Sequence, residues 1–212
     1  MELHRSDRDL PALTVLALLL TGPRHAYEMH RLILDTHKDF VTGLPRSMYH
    51  AVDRLLRDGL IEVHDVRREG PRPERTVYAL TDAGRAALTE RVGRLLAVPD
   101  ADATLLVAAL SFVGALARQQ ALIALRARLD ALDARLHGLA EGLATVPAAV
   151  PRLLLVESEF ERARLEAERA WVAAFADDVE AGSLAWPGED DAAFAGLADL
   201  LPAGPDGEPQ MG

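Results

Sequence analysis

No cysteine occurs among the 212 residues. That excludes a disulfide scaffold, a thiolate zinc site, a thiol redox sensor and a cysteine nucleophile. Lysine is almost absent: 22 of the 23 basic residues are arginine, and Lys38 stands alone. Long apolar runs are missing too. The longest, Ala12 to Leu20, is interrupted by Thr14 and is too short to span a bilayer. The charged stretch Met1 to Leu10 has no apolar segment behind a basic one, so no signal peptide is read there. A soluble, cytoplasmic protein without membrane contact is expected. Catalytic signatures are lacking as well: there is no Gly-x-Ser-x-Gly, no phosphate-cradling glycine loop and no His-Glu-x-x-His. His25, His30 and His37 are spaced by five and seven residues and cannot close on one metal without a third donor. Glu157, Glu159 and Glu161 alternate at i, i+2, which does not converge on a helix. No enzyme activity, cofactor or metal is expected, and no internal repeat is visible.

What is present is an apolar fraction of 50% and a formal net charge of −10, enough hydrophobic mass for one or two domains. The charge is unevenly spread. Residues 1–98 hold 15 basic and 14 acidic side chains and six of the seven histidines, whereas residues 99–212 hold 8 basic and 19 acidic. An acidic whole argues against nucleic acid, but the acid sits in the second half. The first half must be judged by where its arginines lie.

Punctuation divides the chain. Pro11 opens an apolar helix that stops at Gly22-Pro23. A second helix is predicted over about His25 to Lys38, a turn over Asp39 to Arg46, and a third helix from Arg46 to Asp58, ended by Gly59. Leu60 to His64 and Thr76 to Leu80 are β-prone and flank a Gly/Pro turn, which predicts a hairpin. Thr81 then caps a further helix. Helix, helix, helix, hairpin, helix is the plan of a winged helix-turn-helix. Val98-Pro99-Asp100 marks the expected boundary of this unit, residues 1–98. Residues 99–186 are expected to form a helical dimerisation unit, with helices at about Ala103 to Gly138, with a break near Gly114, and Arg152 to Ala181. Residues 187–212, rich in proline and glycine, carry six acidic side chains and no basic one. They read as an acidic disordered tail in which Asp191 to Leu201 could form one short helix. The fold class is mostly α: an N-terminal winged helix-turn-helix with a β-hairpin wing, plus an α-helical C-terminal part.

On a helical wheel, Met48, Ala51, Val52, Leu55 and Leu56 form one apolar face. Arg46, His50, Asp53 and Arg57 lie opposite, flanked by Ser47, Tyr49 and Arg54. A major groove accepts such a helix, read by polar side chains while the apolar face stays on the domain. Arg46 can fork onto a guanine edge. Ser47 and His50 can reach base or phosphate, and Tyr49 offers a hydroxyl and a ring. An ordinary amphipathic surface helix would show the same pattern. Arg67, Arg68, Arg72 and Arg75 crowd the hairpin turn, where they could grip phosphates or enter a minor groove, or simply deter edge pairing. Helix and wing together, in this order and spacing, point to double-stranded DNA.

Several stretches then stand together: Gly22-Pro23-Arg24-His25-Ala26-Tyr27-Glu28-Met29, Ser47-Met48-Tyr49, Leu55-Leu56-Arg57-Asp58-Gly59-Leu60-Ile61-Glu62 and Tyr78-Ala79-Leu80-Thr81-Asp82-Ala83-Gly84. This ordered set resembles the PadR-type transcriptional regulators, closely from about Leu13 to Leu88 and more loosely over Phe160 to Val179. The family usually has glycine at Ala26 and leucine or isoleucine at Met48. The resemblance implies a dimeric bacterial regulator, commonly a repressor at a palindromic operator and often released by a small-molecule effector. It also adds Tyr27, with Tyr49, as a DNA-backbone contact.

In the last long helix Phe160, Ala163, Ala167, Ala170 and Ala174 recur at three- and four-residue steps, a seam of small residues open to close helix approach. Trp171, Phe175 and Val179 form a second row. The seam could pack within the protomer against Leu122, Leu125, Leu129, Leu132 and Leu136, or against a second copy; the resemblance favours the dimer. Trp171 is also a weak candidate for lining an effector pocket, against plain packing. The competing function is a winged-helix protein–protein module or co-regulator acting without DNA. Salt dependence separates the two.

Overall fold

The computed structural model describes residues 2–67, 75–190 and 193, with only the backbone of Arg67 and Arg75. Helix α1 (Leu10–Leu19) is capped by Asp9, which accepts the Ala12 N–H at 3.2 Å, and has Pro11 in its first turn, where a missing N–H costs nothing. It is apolar nearly all round because it lies between α3 and α4. Even Thr14 is buried, its hydroxyl donating to the Leu10 carbonyl at 2.8 Å.

The chain then makes a two-residue strand β1 (Arg24–His25), helix α2 (Ala26–Asp35), a turn with Gly43 at φ 72°, and helix α3 (Arg46–Arg57). Strands β2 (Ile61–Arg67) and β3 (Arg75–Leu80) pair antiparallel, and β1 pairs with the other edge of β3, giving the order β1-β3-β2. The predicted hairpin is therefore one strand short of the observed sheet. Two residues, matched Arg24 to Tyr78 and His25 to Val77, are too few to show an alternating pattern. β2 also runs past His64, because a bulge between Val63 and Asp65 absorbs that residue and lets pairing continue to Arg67.

Helix α4 (Asp82–Ala97) is tied to the end of α3 by a compact knot. The Thr81 hydroxyl accepts the Gly84 N–H at 3.0 Å and points back to the Gly59 and Leu60 carbonyls, both 2.9 Å away, while the Thr81 N–H donates to the Leu60 carbonyl at 3.2 Å. A Cβ at position 84 would stand 1.9 Å from the Leu60 oxygen, so only glycine lets the two segments meet. The Thr-x-x-Gly spacing is thus a packing requirement that sets the wing against the third helix.

Beyond Pro99 the break expected near Gly114 is present: α5 (Ala103–Ser111) and α6 (Arg118–Ala144) are separated by a short 3-10 turn, Val113–Ala115. α6 runs through Gly138 and Gly142 and ends before Pro147. Both glycines are exposed and each costs only about 1 kcal/mol in a helix, so they do not stop it. Helix α7 (Val156–Ala181) starts four residues later than expected, after a 3-10 turn at Arg152–Leu154, and ends at Gly182 with φ 67°. Trp186 folds back into the core, its Nε1–H donating to the Leu116 carbonyl at 2.9 Å. One buried core, from Leu10 to Trp186, runs continuously through α1, α3, α4, α6 and α7. The expected tail begins at Pro187, but Glu189 and Asp190 are still engaged by Arg118 at 2.7 and 3.6 Å. The short helix expected within Asp191 to Leu201 lies outside the described residues, Ala193 excepted.

Candidate nucleic-acid interface

α3 is anchored from beneath. Met48, Ala51, Val52 and Leu55 are buried against the core, and α3 rests on α1. This fixes which way the remaining side chains face. Arg46, Tyr49, His50, Asp53 and Arg57 are all exposed, forming a polar stripe along the outer side of the helix. The Arg46 Nε–H lies 3.3 Å from His50 Nε2, and the Arg57 Nε–H donates to the Asp53 carbonyl at 3.3 Å. Among the described residues neither Arg46 nor Arg57 has a carboxylate partner within ion-pair distance, so both guanidiniums are available to an incoming anion. Ser47 is half-buried and its hydroxyl donates to the Thr42 carbonyl at 2.7 Å. The oxygen is left as an acceptor at the entrance of the helix.

Tyr27 stands in the first turn of α2, 58% exposed, and Tyr49 on α3 is 47% exposed. Large aromatic side chains left in water on the same helix-turn-helix pair need a partner more than a core does. The neighbouring Arg24 is spent internally, on Glu28 at 2.7 Å and the Thr21 hydroxyl at 3.0 Å. Arg54 differs from the other candidates: its guanidinium is bonded to Asp9 Oδ2 at 2.6 Å. On the wing, Arg68 and Arg72 lie outside the described residues, as do the side chains of Arg67 and Arg75. Among the described residues no three His, Asp or Glu side chains gather as a metal site, and no helix is long and apolar enough to cross a membrane.

The outer face of α7 is bare. Phe160, Ala163, Ala167, Ala170, Trp171 and Ala174 are exposed, whereas Leu165, Val172, Ala176 and Val179 turn inward and pack in the core. The alanine seam therefore does not pack on the α6 leucines; the inward row takes that place. The row Trp171, Phe175, Val179 winds from outside to inside. Trp171 is half exposed and stacks on Phe175 with centroids 5.3 Å apart and planes 21° from parallel.

Sequence reasoning missed the charges that hold the frame. Arg128 is 2% exposed. It donates from Nε to Glu168 at 2.8 Å and from one terminal nitrogen to the carbonyls of Leu95, Leu96 and Val98 at 3.1–3.2 Å. Burial pulls this guanidinium below its ordinary value, against the pull of Glu168. Asp7 is fully buried and takes a two-pronged bond from Arg94, at 3.0 and 2.8 Å. Nothing in a helical wheel marks a charge as buried, so neither could be read beforehand.

A helix-turn-helix whose second helix turns an arginine-bearing face outward, followed by a two-stranded wing, defines a winged helix-turn-helix protein. Residues 15–90, from within α1 to within α4, match the family model described as the transcriptional regulator PadR-like family. That stretch is 76 of the 212 residues, and over it the chain resembles the PadR-like transcriptional regulators. No curated protein matches the chain. Among solved structures, it is similar to Bacillus subtilis PadR in complex with operator DNA, at 20% identity over 79% of this chain and 98% of that one, TM-score 0.38. It is similar to smu.1604c from Streptococcus mutans UA159 at 18% identity, over 77% and 96%, TM-score 0.38. For Bacillus subtilis PadR in complex with p-coumaric acid the identity is 17%, over 82% and 97%, TM-score 0.35.

Proposed function

We propose that the chain is a cytoplasmic, homodimeric, sequence-specific DNA-binding regulator that represses from a palindromic operator and is released by a small ligand. The outward stripe of α3 carries the reading: among the described residues Arg46 and Arg57 are exposed without carboxylate partners beside Tyr49 and His50, on a helix whose other face is locked into the core. In this reading Arg46, Ser47, Tyr49, His50 and Arg57 enter a major groove, Tyr27 touches the backbone, and Arg67, Arg68, Arg72 and Arg75 hold the flanking phosphates. Residues 1–98 bind DNA. Residues 99–186 pair two copies through the outer face of α7, which sets the α3 helices about 34 Å apart for successive major grooves. Repression and ligand release rest on the resemblance to the PadR-like regulators, with Trp171 a weak candidate contact for a small ligand.

The test is a titration of the full chain against its own upstream DNA and a scrambled duplex, each at two salt concentrations. Tight, salt-steep binding that prefers the upstream DNA is expected. Arg46→Ala should cut the preference by about 1–3 kcal/mol, as loss of a bidentate base contact does. Arg72→Ala should weaken every duplex alike and lower the salt slope by about one ion. Failure to bind any duplex at low salt would overturn the reading in favour of a protein-interaction module.

A further inference from the structure

Three consecutive residues at the start of the described chain reach three different elements. Asp7 pairs with Arg94 on α4 at 2.8 Å, Arg8 with Asp100 in the α4–α5 connection at 2.5 Å, and Asp9 with Arg54 on α3 at 2.6 Å. Asp9 is held on two further counts. It is the N-cap of α1, and α1 is buried between α3 and α4. Its carboxylate therefore cannot follow Arg54 if Arg54 swings away. Arg54, by contrast, is a long side chain on the flank of the exposed α3 stripe, and its side chain is 41% exposed. Of the three arginines on α3, this one alone has a carboxylate partner among the described residues.

We propose that Asp9 is an affinity-setting residue that withholds Arg54 from the DNA backbone, a role that rests on the DNA-binding reading above. An arginine facing a fixed carboxylate brings almost no net positive charge to a phosphate and displaces no counterion from the duplex, so it adds nothing to sequence-independent binding. Arg46 and Arg57 keep their charge for the groove, while Arg54 is subtracted from the non-specific term. A phosphate contact that every sequence offers strengthens all duplexes by the same factor, so withholding it lowers affinity throughout and leaves the ratio of specific to non-specific binding unchanged.

The experiment uses the full chain with Asp9→Asn and Asp9→Ser. Both residues cap helices about as well as aspartate and neither carries charge, so a shared result reports charge rather than capping. Binding to a scrambled duplex and to the upstream DNA is titrated across salt for the parent, both variants and the double variant Asp9→Asn/Arg54→Ala, with a melting curve for each. Both single variants should bind the scrambled duplex roughly two- to five-fold more tightly at low salt, the size expected of one exposed ion pair. Their salt slope should steepen by about one ion, and the upstream DNA should gain by the same factor, leaving discrimination between the duplexes unchanged. In the double variant the gain should vanish. An unchanged slope in the two single variants, or a gain that survives removal of Arg54, overturns the proposal while leaving the DNA reading intact. A parent that binds no duplex overturns both, and the parent titration alone tells these cases apart.

Discussion

At the scale of single residues, the α3 stripe was legible because its logic is additive: apolar side chains recur on one face and polar ones on the other. The residues that fix the stripe in space were not. Asp7 sits in a charged, unpatterned stretch, yet it is fully buried. Burial pushes its carboxyl up, but the two-pronged Arg94 bond, the His4 amide at 2.7 Å and the nearby charges of Arg94 and His4 outweigh this and hold it below the ordinary value of 3.8. A depressed carboxyl stabilises the fold wherever it is ionised in both states, above its unfolded value. That contribution is lost as pH falls through the folded value. The parent is therefore expected to lose melting temperature steeply below about pH 4. Asp7→Asn should start lower at pH 7 and lose less on acidification, so that the two curves converge. Thermal melting of both proteins from pH 7 to pH 2.5 checks this; parallel curves would show that Asp7 carries no such linkage.

At the scale of elements, order and type were readable almost throughout, and the misses share one cause. β1 and the late start of α7 are set by what the segment packs against, not by its own periodicity, whereas the break expected near Gly114 is where α5 and α6 part. Gly84 shows the opposite case: Thr-x-x-Gly is visible as a pattern, but only the 1.9 Å approach to the Leu60 oxygen says why it must be glycine. Arg128 is the clearest tertiary device. Its guanidinium satisfies carbonyls at the C-terminal end of α4, where the helix dipole favours a cation, and ties α6 to α7 through Glu168. Arg128→Met keeps the unbranched apolar stem and removes every donor, leaving the Leu95, Leu96 and Val98 carbonyls short of a partner. A loss of about 3 kcal/mol is expected. Glu168 keeps Arg164 at 3.4 Å, so the cost should stay near that figure, and adding Glu168→Leu should recover part of it. Urea unfolding of the three proteins measures this, and a cost under about 1 kcal/mol would mean that Arg128 does not hold the helices together.

At the scale of the whole molecule, the sequence showed an alanine seam but could not say which way it faced, because α7 has two apolar rows of similar spacing. The structure separates them: Leu165, Val172, Ala176 and Val179 go inward, and the row from Phe160 to Ala174 stays in water. Phe160 is 71% exposed, Leu153 78% and Leu154 63%, so the bare strip continues through the turn before α7. A lone protomer that left these side chains and Trp171 exposed would carry an apolar surface of the kind that marks an interface. A second copy is the partner a palindrome-reading winged helix needs. Ala167→Glu and Trp171→Glu each put a charge on this face without touching the inward row. Both should keep the parent's helix content by circular dichroism: Ala167 stands at an exposed position, where a substitution rarely costs more than about 0.5 kcal/mol, while Trp171→Glu also gives up the stack on Phe175. Sedimentation at micromolar concentration should give twice the chain mass for the parent and the chain mass for the variants. A long operator would then be bound no more tightly than a half-site. If the parent sediments as a monomer, or the charged variants remain dimers, the outer face of α7 is not the surface that pairs two recognition helices, and their spacing has to come from elsewhere in the chain.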